Sequence, residues 1–241
     1  MSATADLQRN PVLVAIDTSD MARAHEICRQ SEGLVGGLKF GKEFFTAHGP
    51  DGVRRVAGEH PFFLDLKFHD IPNTVAGAIR AAVGLGPFMV NLHASGGRAM
   101  MEAAIAAAEE GAAALGRARP LVIAVTVLTS LDDEDLVAVG QPDGAAEQVL
   151  RLARLAQDCG LDGVVCSPKE IDMLRAACGP DFKLVVPGIR PAWAASGDQK
   201  RIMTPGQAVA AGADYIVVGR AITGADDPAA AAQRILAELA A

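Results

Sequence analysis

Residues 62–74 read FFLDLKFHDIPNT, an apolar run that admits Asp65, Lys67 and Asp70. On a regular strand, residues two apart point to one face, so Asp65 and Lys67 share a side. Asp70 stands just ahead of Ile71-Pro72, where a proline at the first helical position signals a helix start. The neighbours Phe62, Phe63, Leu64, Leu66 and Phe68 predict a partly dry setting for these charges. Isolated charges are costly there, whereas interleaved opposite charges keep one another ionised. Two plainer readings compete. An ion pair at an exposed strand end would contribute little. Asp65 and Asp70 could instead bind Mg²⁺, but Lys67 between them, with Lys39 nearby, opposes a second cation.

The elements that must position these residues alternate along the chain. Short β-branched runs predict strands at 12–17, 37–41, 62–68, 88–94, 121–129, 163–167, 183–189 and 215–220. Between them lie amphipathic or Ala-rich stretches, such as 144–160, where Val149, Leu152, Leu155 and Ala156 keep helical spacing. Eight βα units of about 30 residues in a chain of 241 predict a single (β/α)8 TIM barrel. A doubly wound sheet would not need eight units. No Pro/Gly/Ser-rich linker divides the chain, so residues 1–241 read as one domain, with a short N-terminal arm at 1–10.

Asp17, Lys39, Asp65 with Lys67, His93, Thr129, Ser167, Arg190 and Arg220 all fall at or just beyond a predicted strand's C-terminal end. In such barrels that end carries the active site. One polar strand end means little, but a ring of them defines a site. GGLKFGKE (36–43) fits the frame of a phosphate-binding P-loop, yet Glu43 stands where Ser or Thr should hold magnesium. His69 and His93 read as hydrogen-bonding rim residues rather than bases.

Composition narrows the classes. Half the residues are hydrophobic, only 4% aromatic, and the net charge is −7. This suits parallel strands covered by helices. No Lys/Arg block exists to neutralise a phosphate backbone, so no nucleic-acid partner is expected. Cys28, Cys159, Cys166 and Cys178 form no CxxC and no metal spacing, and read as reduced thiols. MSATADLQRN lacks the build of a signal peptide. Apolar stretches stop well short of a membrane span. A cytoplasmic protein with no membrane association is expected.

DLKFHDIPNTV resembles the signature of the orotidine 5′-phosphate decarboxylase family, an Asp-x-Lys-x-x-Asp-Ile-Pro-x-Thr pattern. The likeness runs through VAID, LKFGKEFF, VNLHASGG, VTVLTS, VVCSPKE, PGIRP, GDQKRIMTP and DYIVVGRAIT, in order along nearly the whole chain. Val186 before PGIRP and Ala221 after Gly219-Arg220 depart from common family residues, and neither removes a charged group.

The resemblance implies a (β/α)8 barrel that dimerises through its active-site face and converts orotidine 5′-phosphate to UMP without metal or organic cofactor. By motif, Lys39, Asp65, Lys67 and the partner subunit's Asp70 would form the charged network, with Lys67 protonating C6 of the pyrimidine. Asp17 would bind the ribose hydroxyls, assisted by the partner subunit's Thr74. Thr129 and Ser130 would read the pyrimidine edge. Arg220, the Gly219 amide and Gln199 would hold the phosphate, with Arg190 at the base of a phosphate-closing loop at 190–204. Loss of CO₂ from C6 leaves an in-plane carbanion with no electron sink, which explains why lysines must be fixed beside it. The rival functions are a metal-dependent sugar-phosphate decarboxylase or aldolase of the same superfamily, and a non-catalytic phosphate-ligand-binding barrel.

Overall fold

Eight parallel strands close into a barrel in chain order: β1 Val12–Ile16, β2 Gly37–Gly41, β3 Phe62–Phe68, β4 Met89–His93, β5 Leu121–Val125, β6 Gly163–Val165, β7 Lys183–Val186 and β8 Tyr215–Val218. The computed structural model describes residues 10–194 and 203–240. The helices that follow the strands are α1 Met21–Ser31, α2 Lys42–Ala57, α3 Pro72–Val83, α4 Arg98–Ala114, α5 Asp133–Ala138, α6 Ala145–Asp158, α7 Ile171–Cys178, α8 Pro205–Ala211, α9 Arg220–Thr223 and α10 Pro228–Leu239. This is the single (β/α)8 barrel that the alternating pattern predicts. None of the helices among the described residues is long and apolar enough to cross a membrane.

The strands are almost continuously buried, as parallel strands covered by helices must be. Each of β1 and β2 is buried along its full length. In α6 the predicted stripe holds for Val149, Leu152 and Ala156, with Gln148 and Ala153 beside them, whereas Leu155 is half-buried. Helix starts carry local signals. The Asp20 side chain accepts from the Ala22 and Arg23 amides to open α1, and Thr204 and Gln207 cap α8 reciprocally with Pro205 at its first position. α2 is broken at Gly49, whose φ of +61° and the following Pro50 interrupt the helix.

Several strands stop earlier than their apolar runs predict. β5 ends at Val125 rather than 129 because a ladder needs a neighbour, and β6 offers one only as far as Val165, the partner of Val125. Beyond that point the buried Thr126 hydroxyl donates to Val165 O at 3.2 Å. β7 ends at Val186 rather than 189, and β8 at Val218 rather than 220.

The chain divides into two compact units, one running to Leu66 and resuming at Val186, the other Lys67–Val185. In the first, β1 pairs with β2 and β8, and β2 pairs with β3 so that Gly41 lies opposite Asp65. Its core holds Leu13, Ile16, Leu38, Phe40, Phe44 and Phe63. In the second, β4 to β7 pair in order and α3 packs along α4. At the N-terminal ends of β5 and β6, Arg119 grips Asp162 through two bonds of 2.6 and 2.8 Å, while the Val122 amide donates to the same carboxylate at 2.7 Å.

Candidate active site

Lys39 is the centre of the first unit's charged group. Its side chain rises from β2 and is 9% exposed. Its ammonium meets Asp17 Oδ1 at 3.0 Å and Asp65 Oδ2 at 3.4 Å. Asp65, in β3, is buried as deeply, whereas Asp17, just past β1, is exposed. A buried ammonium needs such partners, since an unpaired charge in this setting would be strongly unfavourable. Gly41 leaves the room they need. A Cβ there would stand 3.1 Å from Lys39 Nζ and 3.2 Å from Asp17 Oδ1. The expected Lys39–Asp65 contact is therefore present, and Asp17, expected only to bind ribose, also touches Lys39. The P-loop frame falls away, because Gly37–Gly41 is a strand with Lys42 opening α2.

Lys67 lies near the end of β3 with φ of +54°, the one non-glycine residue with positive φ among those described. A left-handed conformation costs a lysine about 1–2 kcal/mol and such strain concentrates at functional sites. The regular alternation that relates Asp65 to Lys67 does not carry through this residue. The Lys67 backbone N–H donates to Asn91 Oδ1 at 2.8 Å. Asn91 is fully buried in β4 and is absent from the sequence-level set of site residues. The signal for it is a lone amide inside the apolar run FMVNLHA.

Asp70, Ile71, Pro72, Asn73 and Thr74 form an exposed run leading into α3, where the Asp70 carboxylate accepts from the Ile71 amide at 2.7 Å. Ile71, a large apolar residue, is 66% exposed. His93 ends β4 and faces His69, with ring centroids 5.5 Å apart. Thr129 and Ser130 lie not at a strand end but in an exposed turn, four residues and more past Val125.

Arg190, Gly219 and Arg220 line one cavity of about 500 Å³ with Asp17, Gly188 and Trp193. Gly219 caps α9, so its backbone and the Arg220 guanidinium offer donors to an anion. The Arg190 amide donates to Met203 O at 3.2 Å, and Arg234 of α10 lies over the Trp193 ring at 4.0 Å. These contacts fix the rim of the cavity. Gln199, most of the expected closing loop and the N-terminal arm up to residue 9 lie outside the described residues. A larger cavity of about 920 Å³ lies at the N-terminal ends of β1 to β3, lined by Asn10, Gly36, Pro61, Glu32 and Glu59 among others. It lacks the paired arginines and sits at the end of the strands that serves stability in this architecture.

A (β/α)8 barrel with a buried lysine–dicarboxylate group and an arginine-lined cavity at strand C-terminal ends has the layout of a barrel enzyme. The chain belongs to the orotidine 5′-phosphate decarboxylase / HUMPS family, whose sequence model matches residues 10–235. It is 58% identical to the orotidine 5′-phosphate decarboxylase of Paramagnetospirillum magneticum, over 95% of this chain and 98% of that one. It is 56% identical to that of Rhodospirillum rubrum, over 98% and 96%. Among solved structures, the Lactobacillus acidophilus orotidine 5′-phosphate decarboxylase superposes with a TM-score of 0.83 at 38% identity, covering 96% of this chain and all of that one.

Proposed function

We propose that this protein decarboxylates orotidine 5′-phosphate to UMP for pyrimidine biosynthesis, with Lys67 as the proton donor. The observation that carries the reading is the buried Lys39 ammonium, held by Asp17 and Asp65 two residues before the strained Lys67. The C6–carboxylate bond breaks, CO₂ leaves, and the electron pair stays on C6 in the ring plane. Lys67 transfers a proton to that carbon, becomes a neutral amine, and is reprotonated from solvent. Lys39 and Asp65 keep the surrounding charges fixed before the bond breaks, so no reorganisation is needed at the transition state. Asp17 reads the ribose, and Thr129 with Ser130 reads the pyrimidine edge. Arg220, the Gly219 amide, Arg190 and Gln199 hold the phosphate, whose binding energy serves the distant reacting carbon and closes the 190–204 loop. Asp17 and Asp65 already share an ammonium, which opposes a metal ion between them, and the reaction as written uses no organic cofactor.

Asp70 and Thr74 serve the neighbouring site of a homodimer. Their exposed run, which includes the apolar Ile71, supports a surface that a second copy covers. Lys67→Ala and Asp70→Ala should each be nearly inactive, and mixing them with subunit exchange should restore about one quarter of wild-type activity, since each mixed dimer has one intact site. The four cysteines are free and buried, which suits work in the reducing cytosol.

One assay tests the function: loss of orotidylate absorbance with EDTA present. Full activity after chelation is expected. Turnover that depends on added metal would favour the sugar-phosphate sister, and no turnover at all would favour a silent ligand-binding barrel.

A further inference from the structure

The geometry points to Asn91 as a positioning residue that sets the root of the Lys67 side chain, an inference that rests on Lys67 being the proton donor. Asn91 stands in the middle of β4, opposite Ile123 of β5, between the buried Val90 and Leu92. An amide with no exposed surface in such a wall is unfavourable unless its polar atoms are used. Its Oδ1 is used on the Lys67 backbone N–H, at 2.8 Å. In a regular parallel ladder that N–H would go to a backbone carbonyl of the neighbouring strand. Here a side chain receives it, at the one non-glycine residue among those described whose φ is positive.

The two facts belong together. At φ of +54° the Cα–Cβ bond of Lys67 leaves the chain in a direction that strand geometry does not give. A lysine has four side-chain torsions, and the starting direction of that chain decides where the ammonium can arrive. Without an acceptor at Asn91, the left-handed turn loses this bond, and the backbone relaxes toward ordinary β geometry. The ammonium would then sit displaced from C6 while the phosphate-binding residues stay in place. A displacement of about 1 Å lowers turnover on the order of a hundredfold. Asn91 therefore acts on kcat through Lys67 and leaves nucleotide binding alone.

The test compares Asn91→Leu, similar in shape but without an acceptor, with Asn91→Asp, which retains one. Asn91→Leu should lower kcat by about ten- to a hundredfold, while the dissociation constant for UMP stays within about twofold. Asn91→Asp should keep more of the wild-type kcat than Asn91→Leu does. Wild-type kcat in Asn91→Leu, or parallel losses of kcat and UMP affinity, would overturn the proposal. Amide hydrogen exchange in the wild-type protein decides the matter even if both variants fail to fold. The Lys67 amide should be protected like those of Leu64 and Leu66, and free exchange there would sink the idea. If wild-type protein left orotidylate intact, the decarboxylase reading would fail by itself, and the exchange result would still judge the Asn91 bond.

Discussion

At the N-terminal ends of β5 and β6, Asp162 takes two bonds from Arg119 and a third from the Val122 amide, all between 2.6 and 2.8 Å. In the first unit, Lys39 meets Asp17 at 3.0 Å and Asp65 at 3.4 Å, and the Asp17 side chain remains 58% exposed. The first arrangement is a bidentate fork with a backbone donor, which fixes two strand starts and holds the Arg119 guanidinium above its ordinary pKa through the Asp162 hydrogen bonds. The second is looser and has an open side. The left-handed Lys67 lies two residues past Asp65 in the chain, and among the described residues no left-handed non-glycine residue adjoins Arg119 or Asp162. The Arg119–Asp162 pair is bound on several sides by its partners, whereas Asp17 keeps an exposed side toward solvent.

This contrast is breakable, beginning with the largest effect. Lys67→Ala should reduce kcat by at least about a hundredfold, as expected on loss of a general acid, with UMP binding retained. Steady-state kinetics with a UMP titration checks it. Asp162→Ala should do the reverse. It removes three bonds to one carboxylate and leaves Arg119 without that partner, so unfolding in urea should show a loss of about 2–4 kcal/mol. Its kcat, measured where the protein is folded, should match wild type. If Asp162→Ala damaged catalysis as much as stability, the division of labour would not hold.

Arg220→Ala sharpens the ligand side. Removing a charged donor to phosphate should weaken UMP binding by about ten- to a hundredfold, the equivalent of 1.5–3 kcal/mol, and leave uridine binding nearly unchanged. Calorimetry with both ligands decides this.

The smallest effect concerns Glu170, whose carboxylate accepts from the Ser167 amide at 2.7 Å. Burial raises its pKa above the usual value of 4.5. A raised value means the folded state binds the proton more tightly than the unfolded chain does. The associated stability is fully present below pH 4.5 and is lost as pH rises through the folded value. Glu170→Gln keeps an acceptor and lacks the titration, so its stability should gain on wild type as pH rises above 4.5. Parallel stability curves over that range would remove Glu170 as a titrating group.

The barrel is legible in the sequence because parallel strands buried on both sides must be apolar along their length, and eight such runs leave little choice of architecture. The contact of Asp17 with Lys39 appears only in the structure, whereas Lys39 and Asp65 are legible together because charges at strand C-terminal ends have few structural uses. The strand ends themselves are not. Thr129 looks terminal to an apolar run, yet β5 stops at Val125 because β6 offers no further partner, a fact set by a neighbour about 40 residues away in the chain. Asn91 and the left-handed Lys67 escape for a related reason. The backbone angle of one and the hydrogen bond of the other exist only once β3 and β4 are both formed. No local propensity encodes either of them.

The left-handed backbone of Lys67 at the end of β3 is expected to serve chemistry at the expense of stability. Turnover and urea unfolding of Lys67→Gly, measured beside wild type in one EDTA-containing buffer, test it most directly. Glycine adopts a positive φ without penalty, so removing the lysine relieves about 1 kcal/mol of strain. A protein at least as stable as wild type with less than about a hundredth of its kcat on orotidylate is expected. A Lys67→Gly protein that turns over orotidylate at near the wild-type rate, or that is clearly less stable than wild type, would contradict it.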